Sequence, residues 1–405
     1  MAGSVCGVTD PHASRADHSH PPAQHLHAGR RDAVRSALRA HGVPMLVVTD
    51  LVNVRYLTGF TGSNAALLLV ADESAGESPA GGTDGGTVLA TDGRYTEQAA
   101  QQAPDVRVLI DRDCTHAVLA DRFARRPDEV ADAARVGFEA AAMSVADHAA
   151  LADRLASSPT AVDLVPLTGV VESARLVKDD GEIALIARAC AIGDAALRDL
   201  LAEGALAPGR TERQVARRLE WLMFEHGAEA IAFETIIACG ANSAIPHHRP
   251  TDDVLRHGDL VKMDFGAVVG GYNSDMTRTV VLGEADAFQR DVYALVRRAQ
   301  EAGVAAVRAG VTGADVDRAA RAVIDEAGAG RLFTHGLGHG VGLRVHEAPP
   351  VSSGATGTLP AGAVVTVEPG VYHAGRGGVR IEDTLVVRDG GAEILTRTGK
   401  ELRVV

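Results

Sequence analysis

Residues 207–227, APGRTERQVARRLEWLMFEHG, and residues 308–328, RAGVTGADVDRAARAVIDEAG, carry one pattern twice, offset by 101 residues with Thr211 against Thr312. Each copy has a Gly two positions before the Thr, then a helix-period run ending at Gly227 or Gly328. Thr211 with Gln214 makes a capping box, and Thr312 with Asp315 a looser version of it. Both runs lead into two strand-like segments around a glycine turn. An internal repeat constrains a fold more than any single element does. The expectation is an α+β half with pseudo-two-fold duplication, helices outside and two β-hairpins inside.

The hairpins carry acids inside apolar strands. In DLVKMDFGAVVGGYNSDMTRTVVL, a register centred between Val269 and Gly270 sets Asp264 opposite Asp275. In AVVTVEPGVYHAGRGGVRIEDTLVV, a register centred on Gly375 sets Glu368 opposite Glu382. Like charges placed this way destabilise a sheet unless something positive sits between them. Buried Asp and Glu seldom lack a partner.

Four carboxylates plus one imidazole from HGLGH would make an oxygen-rich site. Such a donor set favours Mn²⁺, with Co²⁺, Fe²⁺ or Zn²⁺ next, and is unlike the thiolate zinc of structural fingers. Five ligands, several able to bridge, exceed what one open catalytic ion needs, so two divalent ions are expected. Ions of this kind acidify water and polarise a carbonyl, which is hydrolase chemistry. Arg380 and Thr277 lie two residues from Glu382 and Asp275, on the same face, and are expected to orient the carboxylates.

Residues 335–350, HGLGHGVGLRVHEAPP, space His335 and His339 as a zinc helix would. Yet Gly336, Gly338, Gly340 and Gly342 oppose a helix, and no Glu follows His335 to act as base. The stretch reads as a glycine-rich loop or irregular strand from which His339 or His335 enters the metal site. His247 and His248, in GANSAIPHHRP, and His346 are candidates for proton transfer and oxyanion stabilisation beside it.

The first half of the chain alternates differently. RRDAVRSALRAHG has helical period, and PMLVVTD, AALLLV, TVLATD and VRVLI read as strands, with helical GRYTEQAAQQAP and SVADHAALADRLAS among them. An α/β domain over 30–168 is expected, with PTAVDLVPLTGVVESARLVKDD as a linker into the second domain, 169–405. Residues 1–29 hold His12, His18, His20, His25 and His27 amid Pro, Ser and Ala and are expected to form a disordered tail.

With 46% hydrophobic residues, the 405-residue chain can build sizeable cores. Its formal charge of −13 argues against nucleic acid or an anionic membrane as partner. Cys6, Cys114, Cys190 and Cys239 are scattered, as reduced thiols of a cytoplasmic protein would be. No apolar run approaches the roughly 18 residues of a membrane span, and the N-terminus lacks the apolar segment of a signal peptide.

Taken in order, GANSAIPHHRP, GDLVKMDFGAVVGGYNSDMTRT, HGLGHGVGLRVHEAPP, TVEPGVY and GGVRIEDTLVV resemble the pita-bread metallopeptidases of the creatinase/prolidase/methionine aminopeptidase superfamily. LVNVRYLTGFTGSNAALLL and LATDGRYTEQA resemble the creatinase-type N-terminal domain of Xaa-Pro peptidases. The resemblance covers nearly all of residues 30–405. It implies Asp264, Asp275, His339, Glu368 and Glu382 as dinuclear ligands, which selects His339 over His335. It further implies His247, His346, Glu368 and Arg380 as catalytic residues, and His335, His247 and His346 along the substrate.

The implied substrate is a small peptide with proline at its second position, cleaved before that proline. Activated water would attack, Glu368 would relay the proton, and His346 or His247 would hold the substrate's carbonyl or carboxylate. Relatives that only bind, or that work without metal, typically lose ligands, and this chain keeps all five. A methionine aminopeptidase would lack the long N-terminal domain. Whether the enzyme is a strict Xaa-Pro dipeptidase or a broader aminopeptidase P stays open at this level. A homodimer is expected.

Overall fold

In the computed structural model, the described residues are 23–72, 84–126, 134–157 and 161–405, with side chains from residue 27 onward. The N-terminal half is a mixed sheet of β1 (Met45–Val48), β2 (Ala65–Val70), β3 (Asp84–Thr91), β4 (Val106–Ile110), β5 (Ala134–Glu139) and β6 (Val162–Leu167). Its order is β4-β3-β2-β1-β5-β6, with β1–β2 and β2–β3 antiparallel and the other pairs parallel. The expected strands form because their apolar runs bury completely: every residue of β1 and β2 is buried.

Two expectations fail here. The stretch read as a linker contains β6 and a helix, Val170–Arg175. As an edge strand, β6 pairs on one side only and tolerates Pro166, so it lacks the continuous apolar signal of its neighbours. The tail expected to be disordered is helical from Ala23, in a helix that runs to Ala40; residues 1–22 lie outside the described residues. That helix is fastened from within. Arg31 and Arg35, each 1% exposed, both donate to Asp84, at 2.8 and 2.6 Å.

The C-terminal half shows the duplication. Helices Glu212–Glu225 and Gly313–Glu326 have the same length of 14 residues and are capped by Thr211 and Thr312. Gln214 Oε1 accepts from the Thr211 backbone N–H, whereas Asp315 accepts from the Thr312 hydroxyl. Longer helices, Asp180–Ala202 and Ala287–Ala306, precede the pair. Each cap residue also bridges a distant segment, Thr211 to Val254 and Thr312 to Thr358. Two apolar cores, one per repeat, flank the inner strands.

The second hairpin has the expected register. Val367 pairs with Asp383 and Gly370 with Arg380, which brackets Glu368 and Glu382 as opposed positions. The first does not: Asp264 pairs with Thr277, not with Asp275. Its turn is the dipeptide Gly270–Gly271, with φ of +57° and +78°, the left-handed pair a two-residue hairpin requires. Moving the turn centre by one residue moves the partner by two, so the face is kept. Asp264 and Asp275 are diagonal neighbours on one side of the sheet.

Among the described residues, no helix is long and apolar enough to cross a membrane.

Candidate active site

The four carboxylates sit at strand ends inside the duplicated half. Asp264 lies in strand Leu260–Phe265, and Asp275 immediately precedes strand Met276–Val281. Glu368 follows strand Val364–Val367, and Glu382 lies between strands Gly377–Arg380 and Asp383–Arg388. Gly266, across from Asp275, permits this crossing: a Cβ there would stand 1.9 Å from the Ser274 carbonyl oxygen.

His339 comes from a short irregular strand, Gly338–Gly340. Its flanking glycines are needed for closeness, since a Cβ at Gly338 or Gly340 would lie 2.1 Å from the Thr366 or Ala348 carbonyl oxygen. The His339 Nδ1–H donates to Gly340 O at 3.0 Å, which leaves Nε2 facing Asp275 at 3.5 Å and Glu368 at 3.4 Å. That is the tautomer a metal-binding imidazole needs.

Three overlapping triads have ligand atoms within 4.8 Å of one another: Asp264–Asp275–Glu382, His339–Glu368–Glu382 and Asp275–His339–His346. Burial, then the charge of neighbouring carboxylates, pushes Asp275 and Glu382 well above the usual carboxylate range. Burial also raises Glu368, to about 8, against the opposing Arg380 and with Asp264 adding to it. Asp264 Oδ1 is buried without a hydrogen-bond partner among the described residues. A buried acidic cluster with an orphaned oxygen fits divalent cations, which would satisfy both.

Behind the carboxylates lies a frame of donors. The Thr277 hydroxyl donates to Glu382 at 2.7 Å, and Arg380 Nε donates to that hydroxyl at 3.0 Å. Arg380 also donates to Asp264, to Pro246 O at 3.1 Å and to the Tyr372 hydroxyl at 3.1 Å. With both ends of its guanidinium engaged and 2% exposed, Arg380 braces the carboxylate cluster and is not among the residues lining the cavity. Of the two roles expected for Arg380, orienting the carboxylates and acting in catalysis, these contacts fit the first.

His335, expected along the substrate, has both ring nitrogens engaged by the protein. Its Nδ1 contacts Gly336 O and its Nε2 the Tyr372 hydroxyl, both at 2.8 Å, and it does not line the cavity. His247 and His346 do line it. The ring of His346 stands edge-on to His339, centroids 4.3 Å apart.

Three residues with roles here escape a reading by motif. Tyr372 links His335 to Arg380. Lys262, fully buried, donates to Ile245 O at 2.5 Å and Pro246 O at 3.1 Å and so ties down the segment leading to His247. Glu212, also fully buried, accepts from Cys239 N, Asn242, His248, Thr251 N and the Thr251 hydroxyl, at 2.7–3.1 Å. In sequence it looks like an ordinary first-turn acid of a capped helix.

The cavity above the acids has a volume of about 260 Å³. Residues 184–389 match the model of metallopeptidase family M24, and residues 30–177 that of the creatinase/prolidase N-terminal domain. The chain belongs to metallopeptidase family M24. It is therefore a hydrolase of the metal-dependent kind, with a creatinase-type N-terminal domain and a pita-bread catalytic half.

Among similar proteins, the uncharacterised peptidase YqhT of Bacillus subtilis is 36% identical over 92% of this chain and 99% of its own length. An Xaa-Pro dipeptidase of Pyrococcus furiosus is 45% identical over 58% of this chain and 66% of its own. Among solved structures, an Xaa-Pro dipeptidase from Bacillus anthracis superposes with a TM-score of 0.85 at 33% identity, covering 94% of this chain and 100% of that one. An X-Pro aminopeptidase from Thermotoga maritima gives 0.80 at 32% identity, covering 93% and 99%.

Proposed function

We propose that the protein is a proline-specific metallopeptidase that hydrolyses the Xaa-Pro bond of dipeptides or at the N-terminus of peptides. The reading is carried by the acidic cluster itself: four carboxylates and His339 converge under a cavity lined by His247 and His346. Relatives whose names specify Xaa-Pro substrates support the specificity.

Asp264, Asp275, His339, Glu368 and Glu382 would hold two divalent ions, Mn²⁺ being favoured by the oxygen-rich set. Bound there, such ions would supply an acidified water at neutral pH and Lewis acidity for the scissile carbonyl. Glu368, facing the cavity, takes up the proton and delivers it to the proline nitrogen as the bond breaks. His346 and His247 donate hydrogen bonds to the carbonyl oxygen as its charge develops. Arg380 and Thr277 keep the carboxylates aimed throughout, and the substrate's ammonium group rests against the acids.

The test supplies Mn²⁺-loaded protein with Leu-Pro, Leu-Pro-Gly and Leu-Ala and follows free leucine, with metal content counted by mass spectrometry. Release from the proline substrates in preference to Leu-Ala, with two ions per chain, is expected. Silence on both proline substrates refutes the proline reading, and one ion per chain refutes the dinuclear one. A homodimer in the cytoplasm completes the reading, and light scattering tests the dimer.

A further inference from the structure

The cavity is short of positive charge. Five carboxylates line it, Glu234 and the four of the centre. Of the lining residues, Arg249 alone carries a permanent positive charge. Arg380 and Lys262 are no substitutes, since both are buried behind the acids and engaged with backbone carbonyls.

Arg249 has an anchored base and an exposed head. On either side of it, His248 and Thr251 bind the buried Glu212, His248 Nε2 at 2.7 Å and both Thr251 donors at 2.9 Å. Pro250 between them restricts the backbone further. The Arg249 side chain is 84% exposed and that of Glu234 61%, with Arg249 Nε 3.1 Å from Glu234 Oε2. A pair this exposed holds weakly. A carboxylate arriving in the cavity competes for Arg249 with the planar, two-point geometry that guanidinium prefers.

In an Xaa-Pro dipeptide the free carboxylate sits on the residue just after the scissile bond. In a longer peptide an uncharged amide occupies that place. We propose that Arg249 is the specificity-determining residue that reads the C-terminal carboxylate of an Xaa-Pro dipeptide, leaving Glu234 to do so. This deepens the Xaa-Pro peptidase reading and rests on it.

The experiment compares wild type, Arg249→Ala and Arg249→Lys, all Mn²⁺-loaded, on Leu-Pro, its C-terminal amide Leu-Pro-NH₂, and Leu-Pro-Gly. For Arg249→Ala, the kcat/KM ratio of Leu-Pro over Leu-Pro-NH₂ should fall about 10- to 100-fold, the range of a charge-assisted hydrogen bond, mainly through KM. Lysine should recover part of that ratio. A ratio within about twofold of wild type in Arg249→Ala overturns the assignment while leaving the peptidase reading intact. Failure of the wild type on all three substrates overturns both.

Discussion

Glu347, the neighbour of His346, offers the most searching test of how the two halves are joined. Its carboxylate accepts from Arg175, from Lys178 Nζ at 2.8 Å and from Arg344 N at 3.2 Å. The side chains of Arg175, Lys178 and Glu347 are 3%, 1% and 9% exposed. Arg175 reaches on to Asn53 Oδ1 at 2.8 Å, and Asn53 to Glu139 at 2.6 Å, so the network runs from the segment holding His346 into the N-terminal sheet.

Glu347→Ala strands a buried ammonium group and half of a buried guanidinium. Breaking a buried pair from one side costs roughly 3–5 kcal/mol. At about 2–4 °C per kcal/mol for a unit of this size, the unfolding midpoint should drop by roughly 6–20 °C. Scanning calorimetry measures it. Glu347→Leu combined with Lys178→Met should recover part of the loss, because the stranded ammonium is then gone.

The same pair has a pH signature. Burial opposes the ionisation of Glu347, but Lys178 and Arg175 outweigh it and hold its pKa below the usual 4.5. A depressed folded-state pKa means stability that is present above the ordinary value and lost as pH falls through the folded one. The gap between wild type and Glu347→Ala should therefore be full above pH 4.5 and shrink as pH falls below it through the lowered pKa. A midpoint within about 2 °C of wild type at pH 7 refutes the reasoning, as does a double variant no more stable than the single.

Other perturbations probe the site more directly. Asp264→Asn should cut hydrolysis by more than about 100-fold, beyond what loss of a supporting residue does, with bound metal falling in parallel; full activity with unchanged metal content would exclude Asp264 as a ligand. Gly266→Ala forces a Cβ against the Ser274 carbonyl and should cost about 1–3 kcal/mol in urea unfolding, along with weaker metal retention; an unaffected variant would show that the crossing between Asp264 and Asp275 is not tight. Glu212→Gln leaves a single acceptor for five donors and should cost roughly 2–5 kcal/mol, while lowering kcat/KM through the loosened 239–251 loop. Unchanged stability in calorimetry would remove Glu212 from its place as the anchor of that loop.

Much of this was legible in the chain. The repeat, its Thr caps and the four acids are local patterns, and local patterns survive without coordinates. Even the mistaken register kept Asp264 and Asp275 on one face, because a shift of two residues preserves the alternation of a strand. The turn that sets the true register depends on two consecutive left-handed glycines, and sequence offered three adjacent positions for it.

What the tertiary structure alone decided is who faces the cavity and who stands behind it. Arg380 and His335 carry the chemistry of active-site residues, yet Thr277, Asp264 and Tyr372 consume their hydrogen bonds. Glu212 and Arg31 look like solvated helix residues and are buried hubs. Spacing along the chain determines which residue types share a face. Which donors are already spent, and which charge is left free to meet a substrate, depends on neighbours a hundred residues away.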